Sequence, residues 1–217
     1  MEKGSRKERE YLARREEILR AAEGIFANKG FFHTTMNEIA EAAEFGTGTL
    51  YNYFKSKEDL YFTLIDGKAA EINRWVEQEL TREGPVTEKI KKALNLQFEF
   101  IEKNRDFFRI FIPERNRFEW TIKDDLRKEI HDKILAYIQI LARAMEEGIQ
   151  VGEFRNLNPL DLAHVLGGIV NSFVFEWLIT SQPYPITSKV DTILDIFLKG
   201  VQPVERRQSI DESQMGY

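Results

Sequence analysis

Apolar residues recur every three or four positions along most of the chain, and this spacing predicts an all-helical protein. In the first predicted helix, residues 8–29, Ile18, Ala22 and Phe26 share one face. The same spacing predicts further helices over residues 35–44, 47–54, 57–81, 86–103, 105–112, 122–147, 159–180 and 188–199. No alternating pattern typical of a β-strand competes with these helices.

Several helix boundaries are marked by residues that suit helix ends. Thr35 and Glu38 have the spacing of a capping box, in which a hydroxyl and a carboxylate accept hydrogen bonds from each other's backbone N–H groups. Asn158-Pro159 provides a cap followed by a proline in the first helical position. Gly148 and Gly152 are expected to end the helix over residues 122–147.

Composition excludes several classes of protein. The chain has 217 residues, of which 42% are hydrophobic and 31% charged, so it can bury a sizeable core and is not a disordered tail. It has no cysteine, which excludes a disulfide framework, a thiolate metal site and a cysteine nucleophile. We find no run of about 18 apolar residues and no apolar stretch behind the charged N-terminus. A cytoplasmic protein without membrane contact is therefore expected.

The charge is unevenly distributed. The whole chain has a formal net charge of −5, yet residues 1–57 hold ten basic and nine acidic residues, and the rest holds 21 basic and 27 acidic residues. The N-terminal segment is therefore where a polyanion is best tolerated.

That same segment has the pattern of a helix-turn-helix unit, whose second helix can enter the major groove of DNA. Gly46 provides a small residue at the turn, and Leu50 and Phe54, four residues apart, provide an apolar anchor. The outward positions are polar or aromatic, namely Thr47, Thr49, Tyr51, Asn52 and Tyr53, with Lys55 and Lys57 following. Taken singly, the tyrosines fit ordinary half-buried rings and the lysines a solvated surface; the joint spacing favours DNA binding.

Residues 39–60, with the sequence IAEAAEFGTGTLYNYFKSKEDL, resemble the DNA-binding signature of TetR-family (tetracycline-repressor-like) transcriptional regulators, and the resemblance extends over about residues 14–62. It implies that Thr47, Gly48, Thr49 and Asn52 face the groove. It also implies phosphate or sugar contacts for Tyr51, Tyr53, Lys57 and Thr35. The sequence departs from the family pattern at Glu44, where glycine is frequent, and at Gly46, where serine is common.

The C-terminal part is rich in aromatic residues, which predicts either an effector chamber or a thick aromatic core. Polar residues within apolar helices are further candidates, since a buried polar group needs a partner. The candidate pocket residues are Gln97, Phe98, Phe108, Phe111, Trp120, His131, Tyr137, Asn171 and Trp177. The helix over residues 159–180 is apolar nearly all round, and the resemblance implies dimerisation through the last two helices. The candidate interface residues are Gly167, Gly168, Phe175, Ile193 and Phe197.

These features predict an N-terminal helix-turn-helix domain over residues 1–57, a helical effector-binding and dimerisation domain over 58–203, and a flexible tail over 204–217. The expected protein is a homodimeric, ligand-responsive repressor that binds a palindromic DNA operator and is released by a small apolar or amphipathic effector. Two alternatives are a helical small-molecule-binding protein without a DNA function, and an enzyme with His131 or Glu176 as a base. The sequence has no catalytic, metal or nucleotide motif, so no enzyme activity, cofactor or metal is expected.

Overall fold

The computed structural model describes residues 5–109, 111–112, 124–180 and 182–201, and the regular structure within them is entirely helical. The all-α prediction is therefore confirmed. The helices are α1 (Arg6–Lys29), α2 (Met36–Ala42), α3 (Thr47–Leu50), α4 (Lys57–Leu80), α5 (Val86–Lys103), α6 (residues 105–109 and 111–112), α7 (Asp124–Gln150), α8 (Pro159–Ile179) and α9 (Val190–Val201), with a 3₁₀ helix over Ile186–Lys189.

The first three helices enclose a small core together with the start of α4. Ile18 of α1, Ile39 of α2 and Leu50 of α3 are each fully buried. Phe26 and Tyr61 add an edge-to-face ring pair with centroids 4.7 Å apart. Burying one such side chain contributes roughly 1.5–3 kcal/mol, so this core fixes α3 against α1 and α2.

Helix α4 links the N-terminal helices to the rest of the chain. Its 24 residues span about 36 Å at 1.5 Å per residue. It packs on α1, α5 and α7, and its contacts with α1 include the Phe26–Tyr61 ring pair near its start and the Lys68–Glu23 ion pair at its middle. A shift of α4 therefore acts on both halves of the molecule.

In the C-terminal half, α7 packs along α8, and α9 closes the core against α5 and α8. Gly167 of α8 allows this close approach, because a Cβ atom there would lie 3.0 Å from Cδ1 of Ile138. The buried Lys89 of α5 places its ammonium 2.7 Å from both carboxylate oxygens of Glu147 on α7, and so its charge is paired.

Three boundaries differ from the predictions. Helix α1 begins at Arg6, because the hydroxyl of Ser5 caps it by accepting from the N–H of Glu8. Helix α3 ends at Leu50, and a turn rather than helix follows. Helix α7 runs through Gly148 to Gln150. Gly148 is needed for packing instead, since a Cβ atom there would meet the Phe154 ring at 2.3 Å.

By length and composition alone, α8 is long and apolar enough to cross a membrane. Length and composition alone are weak grounds, because core helices of soluble proteins share them. Here Leu166, Val170 and Leu178 pack into the protein core.

Candidate DNA-binding surface and effector cavity

The entry to α2 is held by two reciprocal hydrogen bonds. The N–H of Glu38 donates to Oγ1 of Thr35 at 3.3 Å, and the N–H of Thr35 donates to Oε2 of Glu38 at 2.9 Å. The capping box predicted from the sequence is thus present. A hydrogen bond from Lys29, together with those from Thr35, lowers the pKa of Glu38 to about 2. Thr35 lies exposed at the positive end of α2, where a phosphate is favoured.

Glu44 adopts the left-handed conformation that the turn between α2 and α3 needs. Its φ is 59°, the one positive φ of a non-glycine residue in the described ranges. Its N–H donates to the carbonyl of Glu41 at 3.1 Å, and the N–H of Phe45 donates to that of Ala40 at 2.9 Å. These two bonds form a Schellman motif, with Glu44 in the position that usually holds glycine. The departure from the family pattern therefore leaves the turn intact.

Helix α3 is anchored from behind and presents polar groups in front. Leu50 and Phe54 are buried, as the sequence predicts. Gly46 is the N-cap and supplies no side-chain hydrogen bond. The candidate reading residues include the exposed Gly48 and Asn52 and the half-buried Thr47 and Thr49; Tyr51, predicted to contact phosphate or sugar, is 53% exposed. The geometry brings these side chains to one short, solvent-facing segment.

Two predicted phosphate contacts already have partners within the chain. The Lys57 ammonium donates to the carbonyls of Phe31 at 2.7 Å and Thr34 at 2.8 Å, which uses two of its three donors. It also lies 4.3 Å from the centroid of the Phe31 ring. Tyr53 is half-buried and stacks on Tyr11 of α1. Lys57 therefore holds the start of α4 against the loop between α1 and α2, and Tyr53 holds the end of α3 against α1, in addition to any contact with DNA.

The part of α1 that borders this surface was not predicted from the sequence. Tyr11 is 44% exposed, and its helical neighbours Lys7 and Arg14 share its face at spacings of four and three. Arg15 lies over the Phe54 ring at 5.0 Å. The sequence does mark this part of α1, because Tyr11 is an aromatic residue in a half-helix that is otherwise mainly charged.

A cavity of about 430 Å³ lies between α4, α5, α6, α7 and α8, within the size range of small-molecule sites. Its lining is mostly apolar, with Ile72, Ile101 and Val174 among the wall residues. The hydroxyl of Tyr137 donates to Oε1 of Gln97 at 2.8 Å across this space. Desolvation raises the pKa of Tyr137 to about 12, so the phenol stays protonated and can donate.

Five candidate pocket residues lie together on this wall, namely Gln97, Phe108, Phe111, Tyr137 and Asn171. Three others do not, and the prediction is corrected for them. Phe98 is fully buried in the core, His131 is exposed, and Trp177 is buried with its indole N–H donating to the carbonyl of Tyr184 at 2.7 Å. Trp120 lies outside the described residues.

The cavity is also lined by charged and polar residues that were not predicted from the sequence, namely Lys68, Lys133 and His164. Lys68 had a readable signal, because it lies between Ile65 and Ile72 on the apolar stripe of α4. A lysine within such a stripe needs a partner when the helix is buried.

The candidate interface residues are also redistributed. Ile193 and Phe197 are buried within the subunit, so they cannot face a second copy, and the prediction is corrected for both. Gly167 packs on Ile138, and Gly168 lines the cavity while remaining exposed. Phe175 stays 36% exposed. It belongs to a set of exposed apolar side chains on the last two helices, with Val165, Ile179 and Ile196.

Comparisons with known proteins agree with this geometry. Residues 18–64 match the family model described as bacterial regulatory proteins, tetR family. Residues 66–200 match a TetR C-terminal model described as YsiA-like protein, C-terminal region. This second match alone covers more than half of the chain.

One curated relative and one solved structure, both from Bacillus subtilis, are similar over most of their length. The fatty acid metabolism regulator protein is 24% identical over 186 residues, which cover 85% of this chain and 94% of the relative. The crystal structure of the transcriptional regulator FadR in complex with stearoyl-CoA superposes with a TM-score of 0.77 at 23% identity, covering 86% of this chain and 99% of that one.

Another relative is the transcriptional repressor KstR2 of Mycolicibacterium smegmatis, which is 28% identical over 153 residues, or 70% of this chain and 73% of the relative. Both family models support the same assignment as the exposed α3 segment and the intact helix-turn-helix geometry. The chain belongs to the TetR family of bacterial regulatory proteins and is a DNA-binding transcriptional regulator, not an enzyme.

Proposed function

We propose that this regulator is a cytoplasmic, homodimeric repressor that binds a two-fold-symmetric operator and leaves it when a long-chain acyl effector occupies the cavity. The observation that carries the proposal is the position of α4. This helix contacts α1 through residues that include Tyr61 and also contributes Ile65, Ala69 and Ile72 to the cavity wall. A ligand that favours a different α4 position thus changes the placement of α3.

The reading residues are Thr47, Gly48, Thr49 and Asn52. Threonine methyl and hydroxyl groups suit thymine methyls and base edges, and an asparagine amide suits adenine. Gly48 is exposed and has no Cβ atom, so it lets the backbone approach the groove closely.

Phosphate contacts surround this reading segment. Thr35 offers the N-terminus of α2, and Tyr51 offers an exposed hydroxyl. Tyr53 also contributes a contact while it holds α1 in place, and Lys57 does so while it holds the loop between α1 and α2. Lys7 and Arg14, on the face of α1 that carries Tyr11, extend the positive surface.

The effector is an apolar chain that carries a polar head. The apolar cavity wall and the Gln97–Tyr137 hydrogen bond support this class. A relative that regulates fatty acid metabolism and a similar fold solved with stearoyl-CoA support a long-chain acyl-CoA or the corresponding fatty acid.

The dimer forms through the exposed apolar side chains of α8 and α9. Val165, Phe175 and Ile179 occur at α8 positions separated by ten and four residues, a spacing that keeps them near one face, and Ile196 extends the surface from α9. Exposed apolar residues grouped in this way are typical of an interface. The division into a DNA-binding domain over 1–57, an effector domain over 58–203 and a tail over 204–217 remains part of this proposal.

The first test is selection of bound sequences from a random duplex library with the purified protein, followed by binding at two salt concentrations. We expect a two-fold-symmetric site that Asn52→Ala reads less selectively. Lys55→Ala, a change at an exposed neighbouring lysine, is expected to weaken binding to all sequences alike.

Adding stearoyl-CoA is expected to release the selected DNA. Recovery of no preferred sequence would contradict the proposed reading residues, and retention of DNA with stearoyl-CoA would contradict the effector class.

The dimer is tested by sedimentation of Ile196→Glu beside Leu157→Glu. Both positions are exposed apolar side chains, 52% and 41% respectively, but Leu157 precedes α8 and lies outside the proposed face. We expect Ile196→Glu to be monomeric and Leu157→Glu to remain dimeric. A dimer for both variants would contradict the interface.

A further inference from the structure

One positive charge in the cavity wall is connected directly to the DNA-binding helices. The ammonium of Lys68, on α4, lies 2.7 Å from Oε1 of Glu23, which belongs to α1. It also donates to Oδ1 of Asn104, at the end of α5, at 2.7 Å. The Lys68 side chain is only 13% exposed, so its interactions are weakly screened by solvent. One side chain therefore joins the cavity, α1 and the end of α5.

Aromatic rings surround the same ammonium. The centroids of Phe107 and Phe100 lie 5.0 Å and 5.8 Å from Nζ of Lys68, within the range of cation–π contacts. Phe107 also lines the cavity. This end of the cavity thus combines an apolar surface with a cation, which suits an oxygen atom attached to an aliphatic chain.

Lys133 provides an internal comparison. It also lines the cavity, but it pairs with Asp66 of α4, and the two side chains are 44% and 55% exposed. Neither residue belongs to α1, α2 or α3. An exposed ion pair of this kind contributes little to stability, and it does not connect the cavity to the DNA-binding helices.

We infer that Lys68 is the subsite that holds the oxygen-bearing head of the effector, and that this head displaces Glu23. The ligand oxygen takes the hydrogen bond that Glu23 accepts, and the released carboxylate, already 32% exposed, turns to water. Helix α1 then loses its ion pair with α4, and α3, which the small core fixes against α1, shifts with α1 relative to α4. The effector class rests on the proposed function, whereas the tether rests on the Glu23–Lys68 geometry alone.

The test measures binding of the selected operator by fluorescence anisotropy for Glu23→Gln and for the matched control Asp66→Asn. Each removes one carboxylate charge from an ion pair of a cavity lysine. Without effector, we expect Glu23→Gln to weaken operator binding at least about fivefold, the lower end of typical coupling between sites, and Asp66→Asn to match the wild type. Adding stearoyl-CoA or stearate is expected to lower the operator affinity of the wild type and of Asp66→Asn. It is expected to cause little or no further loss of operator affinity in Glu23→Gln.

Direct binding of stearate, stearoyl-CoA and coenzyme A, followed by tryptophan fluorescence, distinguishes the ligand heads. We expect Lys68→Met to weaken stearate binding far more than Asp66→Asn does, and coenzyme A alone not to compete. Wild-type operator affinity in Glu23→Gln, or equal stearate binding by Lys68→Met and Asp66→Asn, would overturn the inference. If the wild type ignores both acyl ligands while Glu23→Gln still loses operator affinity, the proposed effector is wrong and the tether is supported.

Discussion

The ring of Tyr53, just beyond α3, stacks on the ring of Tyr11 in α1 with centroids 4.8 Å apart and an angle of 25° between the planes. Tyr11 is 44% exposed and lies two turns before the buried Ile18, so it is not needed to close the core. The pair links the exposed first half of α1 to the segment that faces DNA.

Tyr11→Ala should therefore loosen this link with little effect on the rest of the chain. An aromatic pair contributes about 0.5–1.5 kcal/mol beyond burial, and a double-mutant cycle with Tyr53→Ala should recover a coupling of that size in urea unfolding. Tyr11→Phe keeps the ring and should behave as the wild type. A coupling of zero would show that the stacked rings contribute no more than separate surfaces.

Lys57→Ala should lower stability as well as DNA affinity. Removing the ammonium leaves the carbonyls of Phe31 and Thr34 without this donor, a loss of about 1–3 kcal/mol. Lys55 is the better test of a pure phosphate contact. Its hydrogen bond to Asp59, at 2.7 Å, is donated by its backbone N–H, which alanine retains. Lys55→Ala should reduce the salt dependence of DNA binding by about 0.9 in slope without a change in the urea midpoint. Unchanged stability of Lys57→Ala would contradict the first expectation.

How much was predictable depends on the range over which each feature is determined. The capping box at Thr35 and the bounds of α5 depend on residues within one turn, and the sequence predicted both. The cavity is enclosed by five helices, so whether Phe98 or Phe108 faces it depends on helix rotations that no local pattern specifies. Ile193 was assigned to the dimer for the same reason, although it faces its own core.

Glu44→Gly tests the strain in the turn before α3. Glycine adopts a φ of 59° without the clash between Cβ and backbone that glutamate has there. We expect a gain in the free energy of unfolding of up to about 1 kcal/mol, reduced by the greater freedom of glycine in the unfolded chain. Glu41→Gly is the control, because it places glycine within α2 and should destabilise. Equal losses for both variants would exclude strain at position 44.

Glu38 makes the stability of the α1–α2 junction depend on pH. Hydrogen bonds from Lys29 and Thr35 depress its pKa to about 2 from 4.5, so it binds protons less readily when folded than when unfolded. Its contribution is complete above about pH 4.5 and is lost as the pH falls toward 2. Urea unfolding of the wild type and of Glu38→Gln at pH 7, 4.5 and 3 measures the difference in their free energies of unfolding. This difference should become smaller as the pH falls. A difference that does not change with pH would contradict the assignment.

Gly148→Ala tests the close approach that replaces the expected helix end. The added Cβ would lie 2.3 Å from Cδ2 of Phe154, a ring that is 2% exposed and packs edge-to-face on Phe197. The ring cannot move into solvent, so we expect a loss of about 1–3 kcal/mol in thermal unfolding. Gly24→Ala is the matched control: this helical glycine has nothing within 4 Å of its built Cβ, and alanine there should stabilise by up to about 1 kcal/mol. Both variants gain the same helix propensity. Changes of opposite sign in the free energy of unfolding would therefore isolate the Phe154 contact, whereas changes of the same sign would refute it.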